Sequence, residues 1–176
     1  ILQSFVPFLG NLPLFILDIT IIHITVIVGG IVLGPKAGFL LGFAWGFSSF
    51  LRAFTSGNAV TFMIFTNPFI SILPRLLMGG LIALFYHKMN KVITYDKLRM
   101  ALSGFLGSLM NTVLVLGLIY LLMAGQYAEL TGKTVAELPL VLMGIVMSNG
   151  IAEAIAASIM TPIIASVLLS VSKKRG

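Results

Sequence analysis

Cysteine is absent from the chain, and acidic residues number only five in 176. The first absence excludes disulfides, thiolate catalysis and cysteine-ligated metals. The second leaves too few carboxylates for a paired-carboxylate metal site or for much acid–base chemistry. No HExxH or GxSxG string occurs. The closest approach to a nucleotide-binding loop is Gly29 to Lys36, GGIVLGPK, which carries two glycines but puts Pro35 before the lysine and Ala37 after it. A phosphate loop needs a serine or threonine there to hold magnesium, so the string reads as a helix-turn-helix corner and the chain does not hydrolyse ATP by itself. No catalytic residue, metal or cofactor is expected.

Charge is scarce as well. Only 9% of residues are charged against 59% hydrophobic, and mean hydropathy is +1.11. That balance lies outside the soluble range and marks an all-α integral membrane protein. The net charge of +6 therefore reports topology in a lipid bilayer, and nucleic acid is not a partner.

A spanning helix needs about 20 apolar residues. Cutting the chain at its turn and charge signals gives spans at 18–34, 37–54, 68–88, 98–123 and 138–171. The separators are the Gly34-Pro35-Lys36 corner, RAFTSGNAVTF at 52–62, HKMNKVITYDKLR at 87–99 and GQYAELTGKTVAELP at 125–139. Pro162 is a candidate kink in the long last span. The fragment at 1–9, ILQSFVPFL, is too short to cross and reads as the exit of a first helix that begins before Ile1. The expected fold is a single membrane domain over 1–176, a six-helix transmembrane bundle with its first helix largely missing from this chain.

Lysine and arginine orient it. Lys36, Lys88, Lys91, Lys97, Arg99, Lys173, Lys174 and Arg175 fall on one side of the six-span scheme, which the positive-inside rule makes cytoplasmic together with the C-terminus. The loops at 10–17, 52–67 and 124–138 are then external. Arg75, in SILPRLLMGG, lies about ten residues into its apolar stretch, and at about 1.5 Å per residue that is too deep for snorkelling. It needs a partner. At comparable depth stand Asn111 in the fifth span and Asn149 and Glu153 in the sixth, the last two sharing a helical face at i, i+4. Polar groups from three consecutive spans at one level are what a binding cavity requires. They are equally what a structural Arg75–Glu153 ion pair with two asparagines as interhelical glue would use.

Other features carry less. His23, one turn into its span, is expected to be a hydrogen-bonded packing residue before it is a ligand group. Arg52 sits where it can snorkel. Trp45, in the aromatic run FLLGFAWGFSSFLRAF, is too deep for an interfacial belt and reads as packing. Gly30 and Gly34, Gly42 and Gly46, and Ala152 and Ala156 are small-residue pairs for close helix contact.

The succession LQSFVPFLGNLPL, DITIIHITVIVGGIVLGPKAGFLLGFAWGFSSF, TNPFISILPRLLMGGLIALFYHKM and SNGIAEAIAASIMTPII resembles the substrate-binding S components of energy-coupling factor vitamin transporters, over nearly the whole chain. The GGIVLGPKAG corner with the downstream PRLLMGG looks most like the pantothenate-specific branch. The resemblance implies a six-helix protein of the bacterial plasma membrane that binds a vitamin from outside. Its implied partners are a transmembrane scaffold subunit and two cytoplasmic ATPase subunits. The small-residue motif on the first helix that meets the scaffold would precede Ile1.

Pantothenate is an acid with an amide and two hydroxyls. Arg75 suits its carboxylate, and Asn111 and Asn149 suit the amide or a hydroxyl. Asn58, Thr61 and Asn67 in the 52–67 loop would close over it, although Gly57-Asn58 and Asn67-Pro68 also satisfy ordinary turn chemistry. On sequence alone, related S components for hydroxymethylpyrimidine, pyridoxine-like compounds, folate or riboflavin stay open. So do a proton-coupled carrier with Glu153 as its titrating group, and a structural membrane protein with no small ligand.

Overall fold

The run IHITVIVGGIVL is apolar on every side, and such a helix is stable only when other helices surround it. It forms α1 (Ile22–Leu33), and eight of its twelve residues are buried. The protein is seen in a computed structural model that describes residues 11–14, 17–20, 22–55 and 59–175, with side chains over 22–55 and 59–172. The fragment at 1–9 expected to end a first helix, and Asn58, lie outside the described residues.

A hairpin precedes α1: β1 (Asn11–Leu14) pairs antiparallel with β2 (Leu17–Thr20), Asn11 opposite Thr20. The apolar span expected from residue 18 is therefore strand at its start and helix only from Ile22. After α1 come α2 (Pro35–Ala53), α3 (Ala59–Phe65), α4 (Pro68–Ser71) and α5 (Leu73–Lys88). A 3-10 turn (Met89–Lys91) leads to α6 (Asp96–Thr131). A second 3-10 turn (Val135–Glu137), α7 (Leu138–Ile145), a π-helical turn (Val146–Gly150) and α8 (Ile151–Arg175) complete an all-α membrane bundle. Three runs are long and apolar enough to cross a membrane: Pro68–Lys91, Asp96–Thr131 and Val135–Ser172.

The α1–α2 corner turns on Gly34, whose φ of 92° suits glycine, with Pro35 at the first position of α2. Helix α2 then lies along α5 on its glycines. A Cβ on Gly38 would overlap the Gly79 carbonyl, one on Gly42 the Arg75 carbonyl, and one on Gly46 would stand 2.7 Å from the Ile72 Cα. In lipid such backbone proximity replaces the hydrophobic effect as the source of helix association. The α6–α8 seam repeats the device with Gly104 against the Ala157 carbonyl. There it is Ala154 and Ala157 that are buried, while Ala152 and Ala156 are half-buried.

Several boundaries differ from the sequence reading. Helix α6 kinks at Met123, whose φ of −140° and ψ of 23° are not helical and where the expected span ended; a second helical stretch then runs to Thr131, since GQYAELT is rich in helix formers, and the stop is Gly132 at φ 64°. The expected 125–139 loop thus shrinks to 132–137, held by a Thr134–Glu137 capping box. In the last span Pro162 lies inside α8, and a further change of hydrogen-bond pattern falls at the π turn that precedes the helix.

One apolar cluster joins α1, α2, α5, α6 and α8 through Ile27, Trp45, Met78, Ile82, Met100 and Ala157. A second, with Ile64, Ile70, Val115, Ile119 and Met123, binds α3 and α4 to α6 at the end of the bundle where Arg75 lies. Along α2 and its C-cap the rings of Phe43, Phe47, Phe50 and Phe54 touch in sequence at 5.2–6.4 Å, the first two pairs stacked and the last edge-on, as a lipid-facing stripe would.

Candidate functional site

Pro74 explains what Arg75 does locally. In a continuous helix the residue at position 74 donates its N–H to the Ile70 carbonyl, and proline has none to give. The chain breaks at Ile72, between α4 and α5, and the Arg75 guanidinium supplies the missing donor: Nη1 lies 2.7 Å from the Ile70 oxygen. The same side chain is flanked by two rings, with its Cζ 5.3 Å from the Trp45 centroid and 5.0 Å from that of Phe65. Trp45 reaches it because Gly42 and Gly46 bring α2 so close to α5. Stacking of this kind orients a guanidinium and partly offsets its lost hydration.

The charge itself is left over. Arg75 is 6% exposed, its Nε is buried without a hydrogen-bond partner, and among the described residues it makes no ion pair with Glu153 or any other carboxylate. An uncompensated arginine inside a membrane helix costs about 3 kcal/mol on insertion scales.

The other predicted residues divide. Asn111, on α6, has its Oδ1 buried with no partner, an unmet acceptor to set beside the unmet donor of Arg75. Asn149 lies in the π turn, where its Oδ1 accepts from the Ser148 hydroxyl at 3.3 Å; π turns commonly mark functional positions. Glu153 is half-buried one turn further on, in α8, which packs on α6 and α1. His23 is fully buried in the first turn of α1. Thr61 is half-buried on α3, a short helix inside the expected 52–67 loop. Asn67 is spent as the cap of α4, its Oδ1 accepting from the Phe69 N–H at 3.0 Å. Two apolar grooves lie elsewhere, one of about 720 Å³ between α1, α2 and α8 and one of about 260 Å³ beside Phe43 and Phe69. Neither is lined by a charged side chain.

Comparison with known proteins supplies the family. The model of the ECF transporter substrate-specific component matches residues 1–165. The chain belongs to that family. Two relatives extend the match across the molecule. The pantothenate transporter PanT of Leuconostoc mesenteroides is 31% identical over 182 residues, covering 100% of this chain and 89% of the relative. The pantothenic acid transporter PanT of Lactococcus lactis is 33% identical over 184 residues, covering 96% and 86%. This S component is thus a membrane transport subunit.

Sequence reasoning missed Trp45 and Phe65 as companions of Arg75. A signal for Trp45 was present: it sits within the Gly38, Gly42, Gly46 series, whose four-residue spacing places one helix face against a neighbour. Phe65 carried none, since its position depends on the α3–α4 break.

Proposed function

We propose that this S component binds pantothenate in a site built on Arg75 at the external end of the bundle. It would pass the vitamin inward in company with a transmembrane scaffold and two ATPase subunits that supply the energy. The observation that carries the reading is the buried Arg75 guanidinium, which has aromatic walls, a carbonyl anchor and, among the described residues, no carboxylate partner. A ligand acid completes that set with a charge-assisted pair, and the names of both relatives point to the same acid. Asn111 offers its unmet acceptor to a hydroxyl or the amide N–H, and Asn149 stands at the π turn as a second amide partner. Thr61 on α3, Glu153 on α8 and His23 on α1 are the further polar groups this reading assigns to the pocket. A flat aromatic vitamin fits less well, because the two rings nearest Arg75 are already taken by its guanidinium.

Mass spectrometry of small molecules released from the purified, denatured protein tests this directly. Pantothenate at near one equivalent is expected; a stoichiometric different vitamin would overturn the substrate while leaving the family intact.

The orientation follows from charge. Lys91 and Lys174 belong on the cytoplasmic side, with the C-terminus, and Lys133, in the 132–137 turn, outside. A cysteine placed at 133 should react with an impermeant maleimide in intact cells. Labelling at 91 or 174 under those conditions would invert the topology and put Arg75 on the wrong side for uptake.

A further inference from the structure

At the end of the bundle opposite Arg75, Arg99 does something its place among the topology charges does not require. It is 5% exposed in the first turn of α6 and donates to the Asn90 Oδ1, the Asp96 carboxylate and, at 3.4 Å, the Tyr86 hydroxyl. Its Cζ also lies 4.4 Å from the Tyr86 ring centroid. One buried side chain thus clamps the end of α5, the 3-10 turn and the start of α6. The connection between them is thereby tied at three points.

That surface interleaves two kinds of side chain. Lys88, Lys91 and Lys97 are exposed, and between them stand Val92 at 72%, Tyr95 at 64% and Leu98 at 49%. Asp96 is the carboxylate in this stretch, and its charge is committed to Arg99. Exposed lysines alone describe a solvated face, and scattered apolar residues need no explanation. A braced loop that exposes both, at the junction of two membrane-crossing helices, meets the needs of each only in a lipid headgroup layer. There the apolar groups and the tyrosine ring enter the acyl boundary and the ammonium groups reach phosphates. The loop joins two runs long and apolar enough to cross a membrane, Pro68–Lys91 and Asp96–Thr131, and Leu81 and Leu106 further along them are exposed too, which favours lipid over an acidic protein surface.

We propose that the Arg99-braced loop between α5 and α6 is a docking surface for anionic phospholipid headgroups. The test uses the full chain in mild detergent, offered equal amounts of phosphatidylglycerol and phosphatidylcholine, with retained lipid counted by native mass spectrometry. Wild type should retain phosphatidylglycerol preferentially. Replacing Lys88, Lys91 and Lys97 together by glutamine should cut the preference by about tenfold or more, with unfolding temperature unchanged because all three are exposed. Lys133→Gln, at the other end, should leave the preference alone, and Val92→Ser with Leu98→Ser should lower retention of both lipids. Equal retention of the two lipids by wild type, or a triple variant that keeps the wild-type ratio, overturns the proposal. Full displacement of phosphatidylglycerol by sn-glycerol 3-phosphate would assign the loop to a free anion instead. An unchanged lipid ratio with lost assembly onto coupling subunits would assign it to a protein. Either result overturns the lipid reading without touching pantothenate binding at Arg75.

Discussion

Arg75→Ala should weaken pantothenate binding by about thirtyfold to about three thousandfold, taking about 2–5 kcal/mol for the loss of one partner of a buried charge pair and about 1.4 kcal/mol per tenfold. Two effects are mixed in that variant. The Ile70 carbonyl loses its donor, which lowers stability by about 1–3 kcal/mol whether or not a ligand is bound. The ligand carboxylate loses its cation, which matters only in the complex. Pantothenol, with an alcohol in place of the carboxylate, separates them: wild type should bind it far more weakly than pantothenate, and Arg75→Ala should nearly erase the difference. Arg75→Lys should recover only part, because an ammonium cannot hold the Ile70 oxygen and a carboxylate through a planar fork between two rings. Isothermal titration with both ligands measures all of this. A folded Arg75→Ala variant that keeps the wild-type acid preference would move the carboxylate to another group, with Arg52 and His23 the next to examine.

Composition and the apolar runs carried the membrane class, because lipid imposes one dominant constraint on backbone hydrogen bonds. Pro74-Arg75 stood out as an oddity, since proline and arginine are both costly in a span. Their joint meaning was hidden, because it needs the carbonyl of Ile70 and the break at Ile72. Arg99 failed differently. It was counted with the loop cations, yet it is buried, and nothing in HKMNKVITYDKLR says which of its basic residues turns inward. At Asn67 the turn chemistry of Asn-Pro was readable and is what the structure shows, so that residue is a weaker ligand candidate than Asn111. The end of the fifth span at Met123 was legible, and the chain kinks there; what the separator 125–139 hid is that its first part, to Thr131, is helical again.

The second large effect expected is at Gly42, which touches no ligand. A Cβ there would overlap the Arg75 carbonyl oxygen and lie 2.9 Å from the carbonyl carbon and 3.0 Å from the Leu76 Cα. All three are backbone atoms, so no rotamer change relieves the clash and α2 must move away from α5. Overpacking of this sort costs about 1–3 kcal/mol, occasionally more. Gly42→Ala should therefore lower the unfolding temperature in detergent, and Gly42→Val should lower it further. Binding should fall with stability, because the displaced segment carries Trp45 away from Arg75. Two controls make the cause visible. Gly117→Ala, on α6, meets nothing within 4 Å and should be neutral or stabilising by up to about 1 kcal/mol, since alanine is the better helix former. Gly104→Ala clashes with the Ala157 carbonyl in the α6–α8 seam and should lose stability as Gly42→Ala does while keeping the wild-type preference for pantothenate over pantothenol. If Gly42→Val melts and binds like wild type, the α2–α5 contact is not what holds Trp45 over Arg75. If Gly104→Ala loses the preference as fully as Gly42→Val does, the acid is sensed by general packing and not by the aromatic-walled guanidinium.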